Sequence, residues 1–140
     1  MGRSILAAIL GVVVGGIVVG IVESIGHLVY PPPPGLDPMN VEAVKAAMAN
    51  APTGALLFVI LAWAAGALAG GCLAAWMARR ANTIHAMIVG ALLMAAGIWT
   101  MLTIPHPLWF WILGLAVFLP SAFAGARLAP RRQIDKDTVA

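Results

Sequence analysis

The sequence predicts an all-α membrane protein, a four-transmembrane-helix bundle with a short amphipathic helix in its first outward loop. Three observations carry that prediction. The first is composition: 62% of the 140 residues are hydrophobic and 9% charged, against about 45–50% and about 25% in soluble domains. A mean hydropathy of +0.99 fits lipid as the main solvent of the chain rather than an aqueous globule. The second is that the apolar residues fall into four uninterrupted runs, each near the roughly 20 residues that cross a bilayer as a helix. These runs are rich in Ala, Leu and Gly and lack the period-two alternation of a membrane β-barrel. The third is that the basic residues gather in short clusters between the runs, which is a topology signal. A net charge of +3, scattered in this way, excludes nucleic acid as a partner.

The first span covers residues 4–30. Arg3 ahead of an apolar stretch suggests a secretory signal, but the stretch runs on to Val22. That is longer than the roughly 7–15 residues of a signal h-region, and no small-x-small cleavage site follows, so the segment reads as a retained helix. Pro31–Pro34 cannot continue it and run as a stiff polyproline II spacer at about 3.1 Å per residue. Asn40 then caps a short helix over Val41–Ala49, with Glu42 in its first turn and Lys45 further on, ended by Asn50 and Pro52. This piece is expected to lie along the outer membrane face, where it and the proline spacer form a lid. The remaining spans are residues 54–78, 83–104 and 108–126, the last two joined by the tight Pro105-His106-Pro107 turn. Pro120 removes a backbone hydrogen bond inside the fourth span and predicts a kink there, with Ser121 beside it to satisfy freed groups. Residues 1–129 thus make the membrane domain, and 130–140 a polar, mobile tail.

Orientation follows from charge. Arg3 precedes the first span, Arg79 and Arg80 follow the second, and Arg127, Arg131, Arg132 and Lys136 follow the fourth, leaving Lys45 alone on the other side. The positive-inside rule then puts both termini in the cytoplasm and residues 31–53 and 105–107 outside. Trp76 falls at the inner boundary and Tyr30, Trp109 and Trp111 at the outer one, as amphipathic aromatics do. The single cysteine, Cys72, allows no intrachain disulfide and no CxxC motif, and among small residues it reads as packing.

Every charged side chain but one falls outside the spans or at their ends, and the exception is Glu23. Seven residues inward from Tyr30 at about 1.5 Å each, it lies about 10 Å into hydrocarbon, where a carboxylate costs roughly 2.5–3.5 kcal/mol. It is therefore expected to face the bundle. Gly16, Gly20, Gly26, His27 and Tyr30 share its helical face, so that small residues lead into a polar cluster in which Glu23 and His27 pair at i,i+4. Such a pair suits an ion or proton site, with Glu23 as the ionisable group and His27 setting its proton affinity. It equally suits polar glue that fixes helix register with no turnover of ions. Trp63, whose indole N–H falls at the same depth, together with Tyr30 and His106 are the supporting residues. His106 is also the one further side chain able to join Glu23 and His27 around a metal, but two or three ligands without a fourth do not specify zinc. His85 starts the third span at the opposite face and belongs to neither arrangement.

Gly16 and Gly20 on the first span, like Gly11 and Gly15 before them, and Gly66 and Gly70 on the second form GxxxG spacings that predict close helix packing, within the bundle or between subunits. Ser24, Ser121 and the three histidines supply no nucleophile, base and orienter at a workable spacing, so no enzymatic activity and no cofactor are expected. The partners expected are the lipid bilayer, further copies of the chain in a homo-oligomer, and a proton, cation or small organic cation. The alternative is a non-transporting scaffold or accessory subunit in which the Glu23–His27 pair is structural and the basic tail meets a partner or anionic lipid.

The segments PPPPGLD (Pro31–Asp37), AWAAGALAGG (Ala62–Gly71), IPHPLWFWILGL (Ile104–Leu115) and AGARLA (Ala124–Ala129) together resemble an uncharacterised family of small bacterial four-span inner-membrane proteins. The resemblance covers nearly the whole chain. It implies the four-span topology and a bacterial inner-membrane location, and supplies no site residues. Small multidrug exporters are similar in plan, with four spans and one acid in the first, but Glu23 lies toward the outer end rather than the centre.

Overall fold

The computed structural model describes residues 2–78 and 82–130. The Arg79-Arg80 turn and the tail from Arg131 onward lie outside the described residues. The described chain forms five helices: α1 (Gly2–Val29), α2 (Val41–Ala49), α3 (Thr53–Met77), α4 (Asn82–Thr103) and α5 (Leu108–Leu128). Four of them, α1, α3, α4 and α5, are long and apolar enough to cross a membrane, and the protein is an integral membrane protein.

The boundaries follow local chemistry. Prolines end α1, and Gly35, at φ +75°, sits in the turn closed by the Leu36 N–H donating to the Pro33 carbonyl at 3.2 Å. Only glycine adopts that backbone without strain. The Asn40 side chain accepts from the Ala43 N–H at 3.1 Å, as the expected cap of α2. Helix α5 runs to Leu128, two residues beyond its expected end. The charge read as a boundary, Arg127, stays on the helix with its guanidinium 4.8 Å from the Phe123 ring centre, and Pro130 is the true stop. Helix α5 continues unbroken through Pro120.

Helix α3 is the centre of the bundle. It touches α1, α4 and α5, while α4 also touches α5 and, less extensively, α1. In cross-section the order round the bundle is α1, α3, α5, α4, with α3 and α4 meeting across the short diagonal. One end of the bundle, the terminal end, collects the start of α1, the end of α3, the start of α4 and the end of α5. The other, the loop end, carries α2 and the turn between α4 and α5.

Glycines bring α1 and α3 together. A Cβ on Gly11 would meet the Gly70 carbonyl oxygen at 2.8 Å, and one on Gly15 would meet that of Gly66 at 2.9 Å; reciprocally, Gly70 lies on the Gly11 carbonyl and Gly66 within 2.6 Å of that of Gly15. Backbone thus touches backbone, the arrangement GxxxG spacing permits. Gly66 and Gly70 pack as expected. Gly16 and Gly20 do not: both are exposed, and a Cβ at either meets nothing within 4 Å. The helix turns Gly11 and Gly15 toward α3, and residues one and five positions on necessarily face elsewhere. At the terminal end the Arg3 side chain ties the same two helices, its Nε donating to the Met77 carbonyl at 3.0 Å.

The core proper lies between α3, α4 and α5. Trp63 is 5% exposed, with its ring 5.3 Å from Phe110, edge-to-face, and 5.2 Å from Phe118, stacked. Gly97 and Gly114 make room for these rings. Cys72 packs beside Ala75, Ala86 and Ala129, as expected of a structural thiol.

Candidate functional site

Helix α1 has one tight neighbour and one loose one. Against α4 it is held where the Val89 and Leu93 side chains reach over Gly11 and Gly15. Toward the loop end α4 offers Ala96, Gly97 and Thr100 instead, side chains too short to span the gap. What remains is an open cleft of about 370 Å³. Gly16, Val19, Glu23 and His27 line it from α1, Val59 and Trp63 from α3, Ala96, Gly97 and Thr100 from α4, and His106 from the turn. Met48, in the last turn of α2, closes part of its mouth.

Glu23 is half-buried in this cleft, with the His27 imidazole and the Trp63 indole N–H as its electrostatic partners. The carboxyl group therefore faces the bundle, as expected of an acid at that depth. His27 differs from expectation: it is exposed, because one further turn carries it past the cover of α4 to the cleft's rim. The pair is an acid on a wall and a base at a mouth, not a sealed couple.

Tyr30 is not part of this site. Its ring packs edge-to-face on Phe58, with centroids 6.2 Å apart, and its hydroxyl lies over Gly54, whose missing side chain leaves the space. Gly26 likewise faces Phe58, so Gly26 and Tyr30 belong to the α1–α3 contact while Glu23 and His27 look toward α4. Gly16 lines the cleft instead of packing, and Gly20 does neither. Ser24 is exposed and donates to the Gly20 carbonyl at 2.7 Å, a local bond within α1.

His106 joins the site. Its Nδ1 lies 2.6 Å from the Ile104 carbonyl oxygen, a hydrogen bond in which Nδ1–H donates and which leaves Nε2 as the acceptor. Its ring stacks on Phe110, with centroids 4.5 Å apart. Burial pushes its pKa below the ordinary 6.5, only partly opposed by the bond to Ile104, so at neutral pH the imidazole is uncharged. Although Glu23, His27 and His106 share one cleft, among the described residues no group of three ligating side chains is placed to hold a metal.

Thr100 and Met48 are among the cleft residues that the sequence did not single out. Thr100 follows Ala96 and Gly97 on the same face of α4, and that small, small, polar stripe was the available signal. Its hydroxyl donates to the Ala96 carbonyl at 3.1 Å. Met48 is the one residue through which α2 reaches both the cleft and the core. The proline spacer is exposed and does not line the cleft, so the expected lid reduces to the end of α2.

Chemically, the cleft offers one carboxyl group, one exposed imidazole, one neutral imidazole, a hydroxyl and an indole N–H. Carboxyl and imidazole groups are chemically able to take up a proton or coordinate a cation. No protein-family model, curated protein or solved structure matches the chain.

Proposed function

We propose that the protein binds and exchanges a proton, a cation or a small organic cation at Glu23, with His27 and His106 setting the proton affinity of the site. The observation that carries this reading is that Glu23 lines an open cleft. A carboxylate serving only as structural glue is expected to be enclosed and fully paired. Trp63 brings an indole N–H donor to the same wall as the carboxyl group, and Thr100 and the neutral His106 supply the further polar atoms that a desolvated cation requires.

The polar lining stops at Gly16 and Leu93, and the seam beyond is apolar. Transfer to the other side therefore calls for exchange between two conformations rather than an open pore, with α1 moving against α4, its slighter contact. In this reading the membrane is the bacterial inner membrane, the basic terminal end faces the cytoplasm, and a homo-oligomer supplies the remaining wall of the path.

The second reading is a scaffold or accessory subunit, favoured by the apolar half of the seam. Liposome flux separates the two. Native protein reconstituted with a pH gradient or a panel of monovalent and organic cations carries flux that rises with pH as Glu23 ionises, and Glu23→Gln abolishes it while folding normally. Equal flux in both, or none above empty vesicles, refutes the transport reading; intact folding with lost assembly in Glu23→Gln supports the scaffold.

A further inference from the structure

The α1–α4 seam carries a second concavity toward the terminal end, of about 530 Å³ and separate from the Glu23 cleft. Ile5, Ile9 and Val13 line it from α1, and His85, Ile88 and Leu92 from α4, with only apolar surface in its walls. Among the described residues no other helix covers it: all five of the aliphatic side chains just named are exposed. In hydrocarbon a groove of this kind does not stand empty, because its walls would forfeit their dispersion contacts. Its occupant is either a lipid chain or another helix.

Charge at the end of the groove decides between them. Arg3 is one residue beyond Ser4, which lines the end of the groove; its Nε donates to the Met77 carbonyl at the end of α3, and its other N–H donors are left over from that bond. The N-termini of α1 and α4 reach the same end, each with its partial positive charge. The acidic residues described, Glu23, Asp37 and Glu42, all lie toward the loop end. An apolar slot running up to a positive end matches a molecule with an apolar tail and a negative head, whereas a second copy of this chain would bring a second positive end. We infer that the groove holds one acyl chain of an anionic phospholipid, with the phosphate at Arg3 and the start of α4. This site is independent of the ion site proposed at Glu23.

Native mass spectrometry of the detergent-solubilised protein tests the inference, with phosphatidylglycerol and phosphatidylcholine of identical chains as probes. One phosphatidylglycerol per chain is retained, about tenfold more tightly than phosphatidylcholine. Arg3→Gln lowers that preference by about fivefold, the effect of one basic residue at a membrane surface, and Arg3→Lys, which keeps the charge and loses the Nε bond, preserves it. Ile9→Trp fills the groove and abolishes retention with Arg3 intact; Val13→Phe is the milder filling variant and is read in the same way. Equal retention of the two lipids, or retention unaffected by both filling variants, overturns the inference. So does a lipid-free dimer that the filling variants dissociate, which would make a second copy the occupant.

Discussion

Helix α1 has two seams, and they are built on opposite rules. Along α3, glycine meets glycine and backbones touch. Along α4, contact is slighter: the Val89 and Leu93 side chains reach over Gly11 and Gly15, and a concavity opens toward either end of the seam. The same element is thus clamped on one face and unclamped on the other, and its acid sits on the unclamped face. Inside a membrane, where apolar side chains gain nothing by leaving lipid for protein, close packing needs small residues and polar chemistry needs room. This chain separates the two by a rotation of one helix.

Five substitutions sharpen that comparison, from the largest effect to the smallest. Trp63 stands on the wall shared by the core and the cleft, so Trp63→Ala is expected to cost about 3–5 kcal/mol, read as a lowered unfolding midpoint in detergent. Gly66→Val strikes the clamped seam. Its first added carbon would already meet Val19 Cγ2 at 2.5 Å and the Gly15 carbonyl oxygen at 2.6 Å, and a loss of about 1–3 kcal/mol is expected in the same assay. A Gly66→Val protein as stable as the native one would mean that the seam is looser than described.

His106 probes the cleft. Its pKa is depressed in the fold by burial, so the folded protein refuses a proton that the unfolded chain accepts below about 6.5. The stability it contributes is fully present above that pH and is lost as pH falls through and below it. His106→Gln therefore flattens the pH dependence of the unfolding midpoint between about pH 7 and pH 5. An unchanged slope would show that the ring is not held neutral by burial. The smallest effect belongs to Gly16→Ala and Gly20→Ala, which add a methyl group to open space and should alter stability by no more than about 0.5 kcal/mol. A loss comparable to that of Gly66→Val would mean that this face is covered after all.

Most of this architecture was legible in the sequence. Hydropathy alone gives the four spans, and the caps and prolines give α2 to the residue. The depth of Glu23 and its inward orientation follow from the cost of a bare carboxylate in lipid. What failed was rotational detail. GxxxG spacing identifies faces that can approach closely, but α1 carries two such runs displaced by five residues, and spacing does not say which one meets α3. The same ambiguity misassigned Tyr30, which lies seven residues from Glu23 but leans toward Phe58 on α3 because Gly54 leaves it a place. His106, expected as a supporting residue, does line the cleft, whereas Met48 comes from α2, whose position over the cleft is a tertiary fact that no local pattern encodes.

Ion exchange at Glu23, as proposed, requires that water reach its wall through the α1–α4 seam and stop short of the apolar half. Thiol accessibility tests it most directly, with Thr100→Cys and Leu92→Cys each placed in a Cys72→Ala background and treated with a charged, membrane-impermeant maleimide in liposomes. The account predicts rapid labelling at position 100 and none at 92. Protection of both would contradict it and leave Glu23 sealed from solvent.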